Sequence, residues 1–382
     1  MKKGHRILTH LMAAILGSVL TLGAVILLLP EEGFSKLDQL SDLIEDRFIG
    51  DADRTRMEDA AAEAMVASLG DRWSYYISAA EFDSYLEQMD NAYVGVGITI
   101  SIREDGYLDI MQVTEAAPAA LAGLLPGDIL RQVDGVDCAE AGMEEVRNMV
   151  RGPEGSTVEL TVERSGEMLD FTVNREKFQV PVVEYQMLED QIGYIHIFNF
   201  DSRCAEETIG AISELQAQGA RALLFDVRNN PGGYKDELCQ VLDYLLPEGV
   251  LFRSEYYDGT TEQDESGPDC VELPMAVLVN GESYSAAEFF AAALREYEAG
   301  PIIGEKTVGK GYFQQTYELL DHSAVGLSVG RYFTPKGESL AETGLVPDVE
   351  VPVDLDTFAE IYYGTLDPME DPQVLAALNV LK

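Results

Sequence analysis

The stretch Asn280–Phe290 reads NGESYSAAEFF. The apolar run Met275–Val279 precedes it, and the alanine-rich run Ala286–Leu294 overlaps its end. That order predicts a buried strand, a tight turn and a helix. A serine at such a turn stands where the first N–H groups of the helix are unpaired and point outward. Ser285 is therefore a candidate nucleophile, and the Ala286 N–H beside it is a candidate donor to an oxyanion. Ser283 and Ala287 occupy the glycine positions of G-x-S-x-G, so the α/β-hydrolase elbow does not apply.

A serine nucleophile needs a base, and histidine is poorly supplied. His5 and His10 lie at the N-terminus, His196 sits inside an apolar strand pattern, and His322 follows Asp321 at a hairpin-like turn. Lys310 is the available base, in the stretch Val308–Gln315, VGKGYFQQ. An ordinary lysine is protonated at neutral pH, but burial disfavours its ammonium. Gly309 and Gly311 permit close backbone approach, Tyr312 and Phe313 supply apolar surface, and the Gln314 amide is placed to hold the lysine or the substrate. The run from Gly304 to Lys310 also satisfies G-x-x-x-x-G-K. Gly311 then replaces the Ser or Thr that binds magnesium, which argues against a nucleotide site. The second oxyanion donor is expected from Gly232 or Gly233, in the loop Arg228-Asn-Asn-Pro-Gly-Gly233, with Asp226, Arg228 and Asn229 bracing it.

Sixty-eight acidic against 26 basic residues give a net charge of −42, which excludes nucleic acid as a partner because phosphates would be repelled. The 382 residues suffice for two or three domains. Four widely spaced cysteines without C-x-x-C argue against a zinc or redox site, and their spacing leaves two disulfides or four thiols open. No cofactor or metal is called for.

Residues 7–29 are almost wholly apolar and follow Lys2, Lys3 and Arg6. This is long enough to cross a bilayer, and the flanking charge places the N-terminus in the cytoplasm. The expectation is a single-pass anchor in the cell membrane with the catalytic part outside, a cleaved signal peptide being the alternative. Phe34–Met89 has helical periodicity. From Tyr93 the period becomes two, and short strands with two helices make a compact module. Beyond Val180, strands alternate with helices, which implies a mainly parallel sheet with site loops at strand ends. Glu255–Glu272 reads as a polar insertion, and Leu355–Lys382 as a tail ending in a helix.

Three motifs, Ser283-Tyr-Ser-Ala-Ala-Glu288, Gly309-Lys-Gly-Tyr-Phe-Gln314 and Asp226-Val-Arg-Asn-Asn-Pro-Gly-Gly233, resemble those of the C-terminal processing (tail-specific) serine peptidases. Tyr332-Phe-Thr-Pro-Lys-Gly337, Gly344-Leu-Val-Pro-Asp348 and Asp71-Arg-Trp-Ser-Tyr-Tyr76 are similar to that family as well. The resemblance implies Ser285 as nucleophile, Lys310 as base and Gln314 as their companion. It departs at Tyr284 and Ala287, where the family carries small or hydroxyl residues. The strand module resembles a PDZ domain, with Tyr93, Val94, Gly95, Val96, Gly97 and Ile98 in place of the carboxylate-binding loop. Arg151, on the rim of that module, is a candidate for signalling groove occupancy.

The implied architecture is a multidomain α/β protein, α+β overall. It comprises a membrane anchor (1–30), a helical region (31–89), a PDZ domain (90–178), a crotonase/ClpP-like serine peptidase domain (179–354) and a helical tail (355–382). The expected substrates are protein or peptide C-termini, and the helical arm makes a homodimer plausible. The competing reading is a PDZ-bearing scaffold with an inactive peptidase domain.

Overall fold

The structure is a computed structural model that describes residues 36–382. The apolar stretch 7–29 lies outside the described residues. Among the described residues no helix is long and apolar enough to cross a membrane. The chain divides into two compact units between Gly70 and Asp71, within the expected helical region 31–89 and at the Gly70–Ser74 stretch where its helical pattern breaks.

The described part of the first unit is two helices, Lys36–Arg47 and Arg54–Ala67. Asp53 caps the second by accepting the Arg56 N–H at 3.1 Å. Arg54 ties the two together through Asp42 at 3.2 Å and Glu45 at 3.3 Å, and pairs with Glu58 of its own helix at 3.1 Å. These pairs are exposed and contribute little.

The second unit is built on a six-stranded sheet. Its order is Val183–Met187, Ile192–Ile197, Ala222–Asp226, Met275–Val279, Ile302–Gly304 and Val349–Glu350. The first pair is antiparallel and the rest are parallel. Ala222–Asp226 is apolar at every position but the last and Met275–Val279 throughout, because both faces are covered. Leu223, Phe225, Val277 and Val279 face the helices Cys204–Ala217, Lys235–Leu245 and Ala286–Glu296. Ala222, Leu224, Ala276 and Leu278 face Val374, Ala377 and Leu378 of the helix Pro372–Leu381. The C-terminal tail is thus a layer of this core, which its short helical pattern alone did not reveal.

A second, antiparallel sheet joins Tyr75–Ile77, Ala324–Phe333, Gly249–Tyr256 and Thr261–Ser266, with Tyr312–Glu318 also on Ala324–Phe333. The expected polar insertion is therefore part of a hairpin. Thr261–Ser266 is largely exposed and pairs on one edge only, so alternation with charged residues hides it as a strand. Pairing of Tyr75 with Gly326 brings Asp71–Ser74 against this second sheet.

The PDZ-like module is a sheet of Ile98–Ile102, Leu108–Val113, Ile129–Val133, Thr157–Arg164 and Glu167–Asn174, with helices Pro118–Ala122 and Met143–Val150. Ile98–Ile102 ends the sheet and leaves one edge unpaired within it. A two-stranded stalk, Ala92–Gly95 with Glu176–Gln179, connects the module to the core. All four cysteines are free, which decides between the two options their spacing left open.

Candidate active site

Three neighbouring parallel strands deliver the site from their C-terminal ends, where α/β sheets form their crevices. Asp226 leads to Asn229–Gly233, Val279 to Ser285, and Gly304 to Lys310. Ser285 is 7% exposed and caps the helix Ala286–Glu296 in a strained conformation, φ 57° and ψ −126°. The turn is held by hydrogen bonds rather than by glycine. The Ser283 hydroxyl donates to the Val227 carbonyl at 2.7 Å and accepts the Asn280 N–H at 3.0 Å. The Tyr284 N–H donates to the Asn230 carbonyl at 3.1 Å. Residues 286–294 of the helix are all buried, and the small alanines let the sheet approach closely.

Glu288 organises both halves of the site. It is wholly buried, and its Oε2 accepts the N–H groups of Ser285 at 3.1 Å and Lys310 at 2.8 Å. Its Oε1 accepts the Gly309 N–H at 2.8 Å and the Thr307 hydroxyl. Burial raises the Glu288 carboxyl above its usual range, and these donors only partly offset that. The sequence offered one signal for this role, the S-x-x-E spacing of a capping box.

The Lys310 loop is pinned by close backbone approach. A Cβ on Gly309 would meet the Gly344 N at 2.8 Å, and one on Gly311 would meet the Ala341 N at 2.5 Å. Burial lowers the Lys310 ammonium to about 8, against the opposing charges of Asp71 and Glu288. Its Nζ lies 4.9 Å from the centroid of the Trp73 ring and 5.7 Å from that of Tyr284. Among the described residues no hydrogen bond joins the Ser285 hydroxyl to the Lys310 amine. Nor does Gln314 reach the lysine. Its amide donates to the Ser328 hydroxyl at 2.9 Å and to the Tyr312 carbonyl at 3.4 Å.

The glycine loop sits directly over Ser285. A Cβ on Gly232 would fall 2.7 Å from the Ser285 Cβ and 2.8 Å from the Ala286 N. The Gly232 N–H is already given to Asn230 Oδ1 at 2.8 Å. The N–H groups of Gly233 and Ala286 have no partner among the described residues. Asn229 and Asn280 brace the loop, the Asn229 N–H donating to Asn280 Oδ1 at 2.9 Å and the Asn280 amide to Asn229 Oδ1 at 2.8 Å. Below it, Arg228 is 3% exposed and pairs with Asp226 and with Asp371. Although burial raises the Asp226 carboxyl, Arg228 holds it down at about 2.

His196 lies beside Phe198, and His322 is exposed between Glu318 and Asp83, so neither joins the site. Tyr93, Val94 and Gly95 lie on the stalk strand. Val96 is buried, and its carbonyl accepts the Ala119 N–H at 2.8 Å. Gly97 has φ 80°, and a Cβ there would meet the Ala117 Cβ at 2.2 Å. Ile98 begins the open-edged strand. Arg151 is exposed on a cavity of about 890 Å³ between the helices Ala79–Met89 and Met143–Val150, and its side chain makes no hydrogen bond or ion pair among the described residues.

Peptidase family S41 matches residues 191–351, and the PDZ domain matches residues 110–164. The carboxy-terminal processing protease CtpA of Bacillus subtilis is 31% identical over 337 residues, covering 87% of this chain and 72% of that protein. The probable CtpA-like serine protease of Staphylococcus saprophyticus is 29% identical over 320 residues, covering 83% of this chain and 65% of that protein. This chain therefore spans slightly less than two thirds of the staphylococcal relative. The solved photosystem II D1 C-terminal processing protease shares 25% identity at a TM-score of 0.50, over 85% of this chain and 89% of that one. With its PDZ module and S41 core, the chain belongs to the family of carboxy-terminal processing serine proteases.

Proposed function

We propose that this chain is a serine endopeptidase that works through a Ser285–Lys310 dyad and cuts protein substrates near their C-termini. One observation carries the reading: a strained serine at a helix N-terminus and a buried lysine hang on the same glutamate oxygen. With the amine at about 8, a useful fraction is neutral near physiological pH.

In the resting chain the lysine lies on aromatic rings, so it swings onto the Ser285 hydroxyl when substrate enters. The neutral Nζ takes the hydroxyl proton while Oγ attacks the scissile carbonyl. The N–H groups of Ala286 and Gly233 receive the oxyanion, and Gly232 supplies the space that brings the loop onto the serine. Collapse breaks the C–N bond, and the leaving amine takes the proton from Lys310. Water, deprotonated by the same lysine, then hydrolyses the acyl-enzyme. Gln314 orients the substrate or the lysine after releasing Ser328.

The open edge of Ile98–Ile102 supports substrate capture by strand addition, with Tyr93–Ile98 receiving the terminal carboxylate. Residues 7–29 anchor the chain in the cell membrane with the catalytic part on the extracytoplasmic side, and a homodimer through the helical arm fits the same reading. Ser285→Ala and Lys310→Ala should each abolish cleavage of a quenched fluorescent peptide with a free apolar C-terminus. A peptide boronate should label the wild type but not Ser285→Ala. Undiminished cleavage by either variant overturns the dyad, and a wild type that neither cleaves nor labels favours the scaffold reading.

A further inference from the structure

Trp73 reaches the site from more than 200 residues away in sequence, and no motif reading gave it a role. It lies on the segment Asp71–Ser74, which the pairing of Tyr75–Ile77 with Ala324–Gly326 draws onto the core. The segment is fixed by its own hydrogen bonds. Asp71 accepts the Trp73 N–H at 3.1 Å and the Ser74 hydroxyl at 2.6 Å, and the Ser328 N–H donates to Ser74 Oγ at 3.1 Å. The indole and the Tyr284 ring stand 6.0 Å apart, tilted by 30°. The Lys310 ammonium lies within cation–π range of both rings. Arg72 lies over the indole as well, its Cζ 4.1 Å from the ring centroid.

We propose that Trp73 is a positioning residue of the Ser–Lys reaction: its indole and the Tyr284 ring grip the Lys310 ammonium, shield it from water and release the neutral amine to Ser285. This rests on the dyad reading above. The chemistry follows from the ring quadrupole, which attracts an ammonium but not an amine. Proton loss therefore weakens the grip at the moment the lysine becomes a base. The charged or titratable groups that face Lys310 are Asp71 from the Trp73 segment, Tyr284 from the serine turn and Glu288 from the helix, while Arg72 lies over the indole. The two acids favour the ammonium, whereas burial, to which the two rings contribute, disfavours it and is the largest effect. Removing the indole thus admits water, and that gain for the ammonium outweighs the lost ring attraction.

This protein contains a single tryptophan, so its emission reads the contact without substrate. The test uses the full-length chain in detergent, excited at the red edge of tryptophan absorption. Expected is a rise in emission centred near pH 8, present in wild type and Ser285→Ala and absent in Lys310→Met. In kcat/KM profiles on the quenched peptide, Trp73→Ala should move the acid limb up by about one pH unit, tenfold in rate below it. Trp73→Phe should restore the wild-type limb. A Trp73→Ala limb at the wild-type pH, or a fluorescence titration that survives Lys310→Met, overturns the proposal. An active Ser285→Ala enzyme with the fluorescence titration intact would instead fault the dyad and leave the grip standing.

Discussion

Ser285 and Lys310, 25 residues apart in the chain, donate their backbone N–H groups to one oxygen, Glu288 Oε2, at 3.1 and 2.8 Å. The turn that carries the serine and the loop that carries the lysine are thereby held in one frame. Substrate binding can move the lysine side chain without moving its backbone.

Glu288→Gln tests that frame. The new amide would set N–H donors against one of the two donor pairs now satisfied. We expect kcat to fall on the order of 100-fold with little change in KM, because the geometry of the proposed dyad loosens while the substrate groove is untouched. Stability should drop by roughly 2–4 kcal/mol in urea melts. Wild-type kcat in this variant would remove Glu288 from the site.

Lys310 should weaken the fold at neutral pH. Its folded value is lowered from 10.5 to about 8, so across that window the unfolded chain binds more protons and stability rises with pH. Below about 8 the buried ammonium carries its full cost. Lys310→Met should therefore be more stable than wild type by roughly 1–3 kcal/mol at pH 7, although inactive. Denaturant melts at pH 7 and pH 10 should show the advantage shrinking with pH, and an advantage that grows would contradict the sign.

The two loop glycines should fail in different ways. At Gly232, φ is 92° and an added methyl collides with Ser285 and Ala286, so Gly232→Ala should lose activity on the order of 100-fold or more. At Gly233 the methyl would lie 2.3 Å from the Phe200 carbonyl carbon, which is backbone and cannot move aside cheaply. Gly233→Ala should accordingly lose several degrees of Tm as well as activity, measured by circular dichroism alongside peptide cleavage.

Asp371 anchors the C-terminal helix to the floor of the glycine loop, 2.7 Å from Arg228. Asp371→Ala leaves a buried guanidinium with half its charge partners and should destabilise by about 3–5 kcal/mol. Asp371→Ala combined with Arg228→Met should recover part of that loss. If the double variant were no more stable than the single one, the ion pair would not be what the C-terminal helix contributes.

Much of the site was legible in local pattern. The apolar run before Asn280, the serine ahead of an alanine-rich helix and the lysine between glycines each carry their signal within a few residues. So do the alternating units that make a parallel sheet, since strand and helix periods repeat over short windows. Glu288 was visible only as the closing residue of the Ser283–Glu288 motif, because the residues that consume its second oxygen, Thr307 and Gly309, lie about 20 positions onward.

By itself, the sequence determined which groups are present and which backbone conformations they favour: a hydroxyl at a helix start, an amine among aromatics, glycines where no Cβ fits. Tertiary structure decided which of them meet. It gave Gly232's N–H to Asn230 and left Gly233's without a partner among the described residues. It turned Gln314 toward Ser328, made the C-terminal helix a core layer, and laid Trp73 on Lys310. These outcomes depend on strand pairing between distant segments, such as Tyr75 with Gly326. Such pairing is set by the burial and register of whole sheets, which no short window of residues contains. The serine, the lysine and the glutamate that joins them are therefore a local inheritance fixed in place by long-range packing.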